Sequence, residues 1–471
     1  MTTLEQRSQP STPSLTPQTG GRWIEDWRPE DVGFWKSTGS RVARRNLIFS
    51  IFSEHIGFSI WSLWSVFVLF LTPAYGLSHD LKTATAEKFL LTTVPAALGA
   101  GARLPYTFAV AKFGGRNWTI VSACLLLIPT IAAAVALQPG VSYTTLLVLA
   151  ALAGVGGGNF ASSMANINSF YPQRLKGRAL GLNAGGGNLG VAVVQLVALG
   201  VLATAGKDHP RVLLEIYIPL IVLAALGAAL FMDNISHVRN EKGAMRDAAR
   251  EPHTWVIAFL YIGTFGSFIG FGFAFGQVLL VQFGTHFTTA GKVDPVKVAY
   301  LSFLGPLVGS LIRPVGGWLA DRVGGARTTV WNFVAMAVAA TVVLTASLEK
   351  SLGLFYVGFI ALFVLSGVGN GSTYKMIPAI FRSKGERLIA AGADPHTVEH
   401  ESRRMANAVI GIAGAIGAFG GVLVNLAFRQ SFLAYKTGDG AYLGFIAFYV
   451  ICVAVTWLVY LRASEDRLTG I

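Results

Sequence analysis

The chain has 471 residues, of which 53% are hydrophobic and only 13% charged, with 54 glycines and a formal net charge of +13. A soluble domain carries about a quarter charged residues, and glycine is tolerated in membrane helices far better than in soluble ones, so this composition excludes a water-soluble globular protein. Its two cysteines, Cys124 and Cys452, fall far apart in apolar stretches, which leaves neither a disulfide framework nor a CxxC metal or redox pair.

Residues 1–45 form a polar tail, rich first in Ser, Thr and Pro and then in charge, with no cleavable signal peptide. The first apolar span must therefore insert itself. Apolar runs of about 20 residues read as bilayer spans, and they fall near 46–72, 87–110, 117–137, 143–168, 178–206 and 213–232. After a polar linker at 233–253, six more follow near 254–281, 296–320, 328–347, 354–381, 404–427 and 441–463, before a short tail at 464–471. The pattern predicts an all-α membrane protein of twelve transmembrane helices in two six-helix bundles. The net positive charge would suit nucleic acid, but Lys and Arg sort by loop. Arg41, Arg44, Arg45, Lys112, Arg116, Arg174, Lys176, Arg178, Arg322, Arg327, Arg403 and Arg404 gather on one side, against a thin set such as Lys82, Arg211 and Lys297 on the other. That bias predicts both termini in the cytoplasm and removes the nucleic-acid reading.

In the first span Glu54-His55 is the only ionisable pair well inside an apolar segment. It reads either as a site for a coupling proton, since His titrates near neutrality, or as a hydrogen-bonded structural pair near the rim. The second span carries Arg103 in RLPYTFAVAKFGG, and the eighth carries Arg313 in RPVGGWLADRVGG, the two motifs standing 210 residues apart. GVGGG at 154–158 in the fourth span likewise matches GVGNG at 367–371 in the tenth. The halves are parallel repeats, an arrangement that puts a substrate site near the midplane on the pseudo-twofold axis.

The fifth span opens with GLNAGGGNLG, residues 181–190. A glycine-rich phosphate loop needs a strand before it, whereas YPQRLKGR precedes and an apolar run follows, so these glycines belong to a membrane helix. Gly181, Gly185, Gly186, Gly187 and Gly190 give a side-chain-poor surface on which helices can touch and slide, and Gly411, Gly414, Gly417, Gly420 and Gly421 repeat it in the eleventh span. An unpaired guanidinium inside a bilayer costs at least ~2.5–3.5 kcal/mol, and carboxylates are scarce: Glu54, Glu215 at the start of the sixth span, and Asp321 in a loop. If the repeat axis sets Arg103 and Arg313 across one cavity, a small oxyanion is the missing partner. The competing reading has both snorkel to the cytoplasmic face, about 10 Å away. Lys375, near the end of the tenth span, reads equally as a snorkelling or a gating residue.

GGWLADRVGGARTT at 316–329, with Gly317, Asp321, Arg322 and Gly324, resembles the loop motif of the major facilitator superfamily, and FGGR at 113–116 is its eroded counterpart. More narrowly, GGGNFASSMANINSFYP at 156–172, GLNAGGGNLG at 181–190, TFGSFIGFGFAFG at 264–276 and GNGSTYKMIPAIF at 369–381 resemble the nitrate/nitrite porter family. The resemblance spans about 46–463. It implies the major facilitator fold and transport of nitrate and nitrite for nitrate assimilation, by a monomer in the cytoplasmic membrane with no cofactor and no metal. It also implies a binding site at Arg103 and Arg313, walled by Phe160, Tyr261 and Phe265, with Asn188 contributing. Planar, bidentate guanidinium suits such anions better than ammonium does. Two facing arginines repel when empty, which favours nitrate/nitrite exchange. Glu54-His55 keeps nitrate/proton symport as the alternative. A membrane-embedded enzyme would show metal or haem ligands on its spans, and the His residues lack that spacing.

Overall fold

The computed structural model describes residues 22–206, 209–236, 243–462, Leu468 and Ile471. The first part of the expected tail at 1–45, most of that at 464–471 and part of the linker at 233–253 lie outside the described residues. Twelve long helices run in chain order: α1 Val32–Phe70, α2 Leu81–Phe113, α3 Gly115–Ala136, α4 Tyr143–Phe170, α5 Gln173–Thr204, α6 Arg211–Phe231, α7 Pro252–His286, α8 Pro295–Val323, α9 Gly325–Leu348, α10 Leu352–Ala390, α11 Pro395–Tyr435 and α12 Asp439–Leu461. Eleven have the length and hydropathy to cross a bilayer, and α2 completes the set, its hydropathy diluted by Thr92, Thr93, Pro95, Arg103 and Pro105.

Local chemistry sets the ends. Asp80 caps α2 by accepting from the Thr83 N–H, and Asp394 caps α11 by accepting from Thr397. Gly114 and Gly324, at φ +87° and +99°, end α2 and α8 in a conformation that a side chain would resist, so both copies of the arginine-bearing motif stop the same way. Three helices are longer than their hydropathy predicts. α1 begins at Val32 inside the expected tail, α10 continues to Ala390, and α11 starts at Pro395. These extensions are polar and held by ion pairs such as Lys384–Glu251 and Arg404–Asp247, so they carry no apolar signal.

Within each half α1 packs on α5 and α8 on α10. Between halves α2 packs on α11 and α5 on α8, contacts that exchange into one another when the halves are swapped, as a pseudo-twofold requires. Beneath the first half, strand Trp23–Ile24 pairs in parallel with Asn234–Ile235, and Trp27 packs against Phe34 and Phe170. Arg22 and Arg45 both reach Asp233 there, which ties the described part of the tail to the linker.

Candidate functional site

Glycine lets the arginine helices approach their neighbours. In α4 the stretch Gly154–Gly158 tightens into a 3₁₀ turn. A Cβ on Gly157 would meet the Gly99 backbone of α2 and the Trp61 ring of α1, and one on Gly158 the Tyr106 ring. In the second half a Cβ on Gly367 would meet the Gly309 backbone, and one on Gly371 the Arg313 and Gly317 backbone of α8. The matched GVGGG and GVGNG segments thus press α4 on α2 and α10 on α8, at the levels of the two arginines.

Arg103 and Arg313 are 1% and 6% exposed, so neither snorkels to an interface. Their guanidinium carbons lie 4.6 and 5.9 Å from the centre of the same Phe160 ring. Arg103 also lies over Phe265 at 4.7 Å and Trp61 at 5.5 Å, and Arg313 over Tyr374 at 5.9 Å. Cation–π contact stabilises each by about 0.5–2 kcal/mol in a dry setting. Phe160 stacks on Phe265, and Phe265 on Tyr261, at 5.9 and 5.2 Å. Arg103 Nη1 donates to the Gly414 carbonyl at 3.0 Å, and Arg313 Nη2 to the Tyr261 hydroxyl at 3.2 Å. Arg103 Nε and Nη2 and Arg313 Nη1 have no partner, and neither guanidinium has a carboxylate ion pair among the described residues. Buried, charged and partnerless donors point to an anion.

Asn188 is 1% exposed, with both amide atoms unpartnered. Glu54 and His55 share no hydrogen bond. Glu54 Oε2 accepts from Ser163 Oγ and, at 2.6 Å, from Asn183 Nδ2, while His55 Nδ1 meets the Gly186 carbonyl at 3.1 Å. Trp61, Ser163, Asn183 and Tyr374 escaped the sequence reading as site residues, although Ser163, Asn183 and Tyr374 sit inside its quoted motifs. Polar side chains within apolar spans were the signal. Of the fifth-span glycines, Gly186, Gly187 and Gly190 lie against Ile51, Glu54 and the His55 carbonyl of α1, while Gly181 and Gly185 face open space. In α11 Gly414 is open, Gly417 lies against the Tyr261 ring, and Gly420 against Gly266 of α7. Lys375 is paired with Asp321, its Nζ 2.8 and 2.9 Å from the two carboxylate oxygens, and Arg322 stacks on Trp318 at 4.1 Å. Gly317 approaches the Lys375 chain, and Gly324 the Ile471 carbonyl.

A cavity of about 230 Å³ leads from Arg103, Phe160 and Tyr374 past Thr107 and Met164 to Asn168, Met245 and Arg404. The far end is shut between the halves. Trp61 meets Phe273 at 5.2 Å, Phe89 stacks on Phe428 and Phe432, Thr92 donates to Asn425 Oδ1 at 2.8 Å, and Gln195 to the Gly272 carbonyl at 3.1 Å. Of the two buried arginines, Arg103 lines this cavity.

A sequence profile of the Major Facilitator Superfamily matches residues 47–424. Nitrate/nitrite transporter NarU of Escherichia coli (strain K12) is 36% identical over 464 residues, covering 94% of this chain and 97% of that protein. Probable nitrate/nitrite antiporter NarK2 of Thermus thermophilus is 33% identical over 470 residues, covering 95% and 98%. Among solved structures, the xylose transporter XylE from E. coli, in a partially occluded inward-open conformation, superimposes with a TM-score of 0.66 at 11% identity over 91% of this chain and 99% of that one. The human organic anion transporter MFSD10 gives 0.61 at 12% identity over 88% and 99%. These two speak for the fold alone.

Proposed function

The chain belongs to the Major Facilitator Superfamily and, within it, to the nitrate/nitrite porter family, and from that premise we propose that it carries nitrate and nitrite across the cytoplasmic membrane by alternating access around Arg103 and Arg313. One observation carries the reading. Two buried guanidiniums from opposite halves lie against one phenyl ring with three nitrogens unpartnered and no carboxylate ion pair among the described residues. Arg103 Nε and Nη2 form the lateral edge that takes two oxygens of a planar anion, and Arg313 Nη1 is free for the third oxygen of nitrate. Nitrite fills the edge alone. The aromatic walls exclude water and offer ring edges to a weakly hydrated anion.

Both arginines come from one chain, which supports a monomer as the working unit. The basic residues at the end holding the termini support a cytoplasmic location for both. Bringing a monoanion in against an inside-negative potential costs ~2.3 kcal/mol per 100 mV, and exchange for an outgoing anion avoids that cost. Two facing guanidiniums with nothing between them disfavour closure of the empty carrier, which supports nitrate/nitrite exchange. In proteoliposomes loaded with nitrite, labelled nitrate should enter and be competed by unlabelled nitrate and nitrite but not by sugars or amino acids. Failure of internal nitrite to stimulate entry would refute exchange, and failure of either anion to bind would refute the site.

A further inference from the structure

Resting on the nitrate-binding reading, we infer that the side-chain amides of Asn168 and Asn407 form a second, weaker station for a planar monoanion, where an incoming nitrate or nitrite sits while the first is still on the arginines. Two helices from opposite halves line the cavity along single stripes. On α4 the stripe is Phe160, Met164 and Asn168, and on α11 it is Gly414, Gly411 and Asn407. Steps of three and four residues keep each set on one helix face. Each stripe therefore starts beside the arginines and ends at an asparagine.

The depths agree. Asn168 follows Phe160, which touches both guanidiniums, by two helical turns, and Asn407 precedes Gly414, whose carbonyl holds Arg103, by the same two turns. At ~1.5 Å per residue both amides lie about 10–12 Å from the level of the arginines. Because α4 ends and α11 begins at this end of the cavity, the two displacements point the same way. Neither amide is hydrogen-bonded among the described residues, and each offers two N–H donors. Both are neutral, and such hydrogen bonds are about half as strong as charge-assisted ones. Arg404, the other cation lining the cavity, is shared by Asp247 and Glu401 at 2.6 and 2.7 Å, so it does not compete with Arg103 for the anion.

Size and charge make this a relay. At about 230 Å³ the cavity has many times the ~30 Å³ of one water, which gives room for two small anions with water between them and for one to pass the other. An anion on the amides repels the one on the arginines and weakens its hold. The second anion then moves along the stripes and takes the first one's place, so the two guanidiniums are not left facing each other empty. Coulomb repulsion over about 11 Å, at an effective dielectric of about 20–40, corresponds to release about three- to tenfold faster.

Release kinetics test this without transport. Labelled nitrate bound to detergent-purified protein is diluted into buffer with rising unlabelled nitrite, far enough that the label does not rebind. Release should quicken with nitrite and level off about three- to tenfold above its rate in anion-free buffer, whereas a single site releases at one rate throughout. The double variant Asn168→Ala, Asn407→Ala should release at one rate and keep the nitrate affinity of the unaltered protein. Asn168→Asp fixes a negative charge at the station and should speed release into anion-free buffer with no further response to nitrite, a gain that misfolding does not produce. A constant rate in the unaltered protein, a nitrite response that survives in the double variant, or release from Asn168→Asp that is no faster would overturn this inference and leave the arginine site standing. Loss of nitrate binding in the double variant would overturn it too, by placing the amides in the first site. Absence of nitrate binding in the unaltered protein would fail the underlying reading instead.

Discussion

Arg103 and Arg313 differ in what already occupies them. Arg103 uses one nitrogen on the Gly414 carbonyl and leaves its lateral edge free, while Arg313 uses one on Tyr261 and keeps a single free terminal nitrogen. An ammonium in place of either keeps the charge but loses the fork and the flat contact with the rings. A charge-assisted hydrogen bond contributes ~1.5–3 kcal/mol, so Arg103→Lys should weaken nitrate binding about 10- to 100-fold. Arg313→Lys, which forfeits one bond to the anion, should fall at the lower end of that range. Isothermal titration of both variants with nitrate and nitrite checks this. Equal affinity of Arg103→Lys and the unaltered protein would remove bidentate recognition, and a larger loss at Arg313 would reverse the assigned edges.

At the scale of helices, the glycine runs do different work in different places. Gly417 sits beneath the Tyr261 ring, and a side chain there must push aside the residue that holds Arg313. Gly186 faces the Ile51 Cγ2 methyl on the α1–α5 contact, away from the residues that hold either arginine. Gly417→Leu should therefore lose nitrate binding and transport together, whereas Gly186→Leu should slow transport while leaving binding within about threefold. Parallel binding and uptake measurements separate the two. Loss of binding in both variants would make the α5 glycines part of the site and not a moving contact. Gly181 and Gly185, with open space where a Cβ would stand, should accept Ala with neither effect.

For the molecule as a whole, the closed end is a set of contacts between halves that must break before the arginines can face the other side. Thr92–Asn425 and Gln195–Gly272 are its hydrogen bonds, and the Phe89, Phe428 and Phe432 stack is its apolar part. Asn425 also donates to the Gly421 carbonyl at 2.8 Å, so it fixes its own helix while accepting from the other half. Removing one such bond costs the closed state about 0.5–1.5 kcal/mol, a two- to tenfold population shift of order. Spin labels at Leu81→Cys and Tyr435→Cys, both exposed at the far ends of α2 and α11, with Cys124 replaced by Ala, report the opening. Asn425→Ala should raise the fraction at long distance. An unchanged distribution would show that the aromatic stack alone holds this end shut.

Hydropathy, the repeated Arg-to-Gly-Gly motif and the one-sided distribution of Lys and Arg determined much of this protein by themselves. Each is set by a local cost, whether of apolar side chains in water, a guanidinium in a bilayer, or positive charge carried across it. Those costs mark the apolar spans and single out two arginines inside them, and they carry no signal for polar helix ends such as those of α1, α10 and α11, which lie beyond any apolar run. Partnership was decided by the tertiary structure. Glu54, Ser163 and Asn183 come together across separations of 109 and 129 residues, and Phe160 comes to touch arginines from different halves, because helix rotation and crossing choose which faces meet. A glycine in sequence says that a neighbour can come close, but not whether that neighbour is Glu54, the Tyr261 ring or another glycine. Likewise the free edge of Arg103, the unpartnered amide of Asn188 and the side on which the cavity opens follow from how two bundles lean on each other, an arrangement that the same sequence must be able to reverse in order to transport.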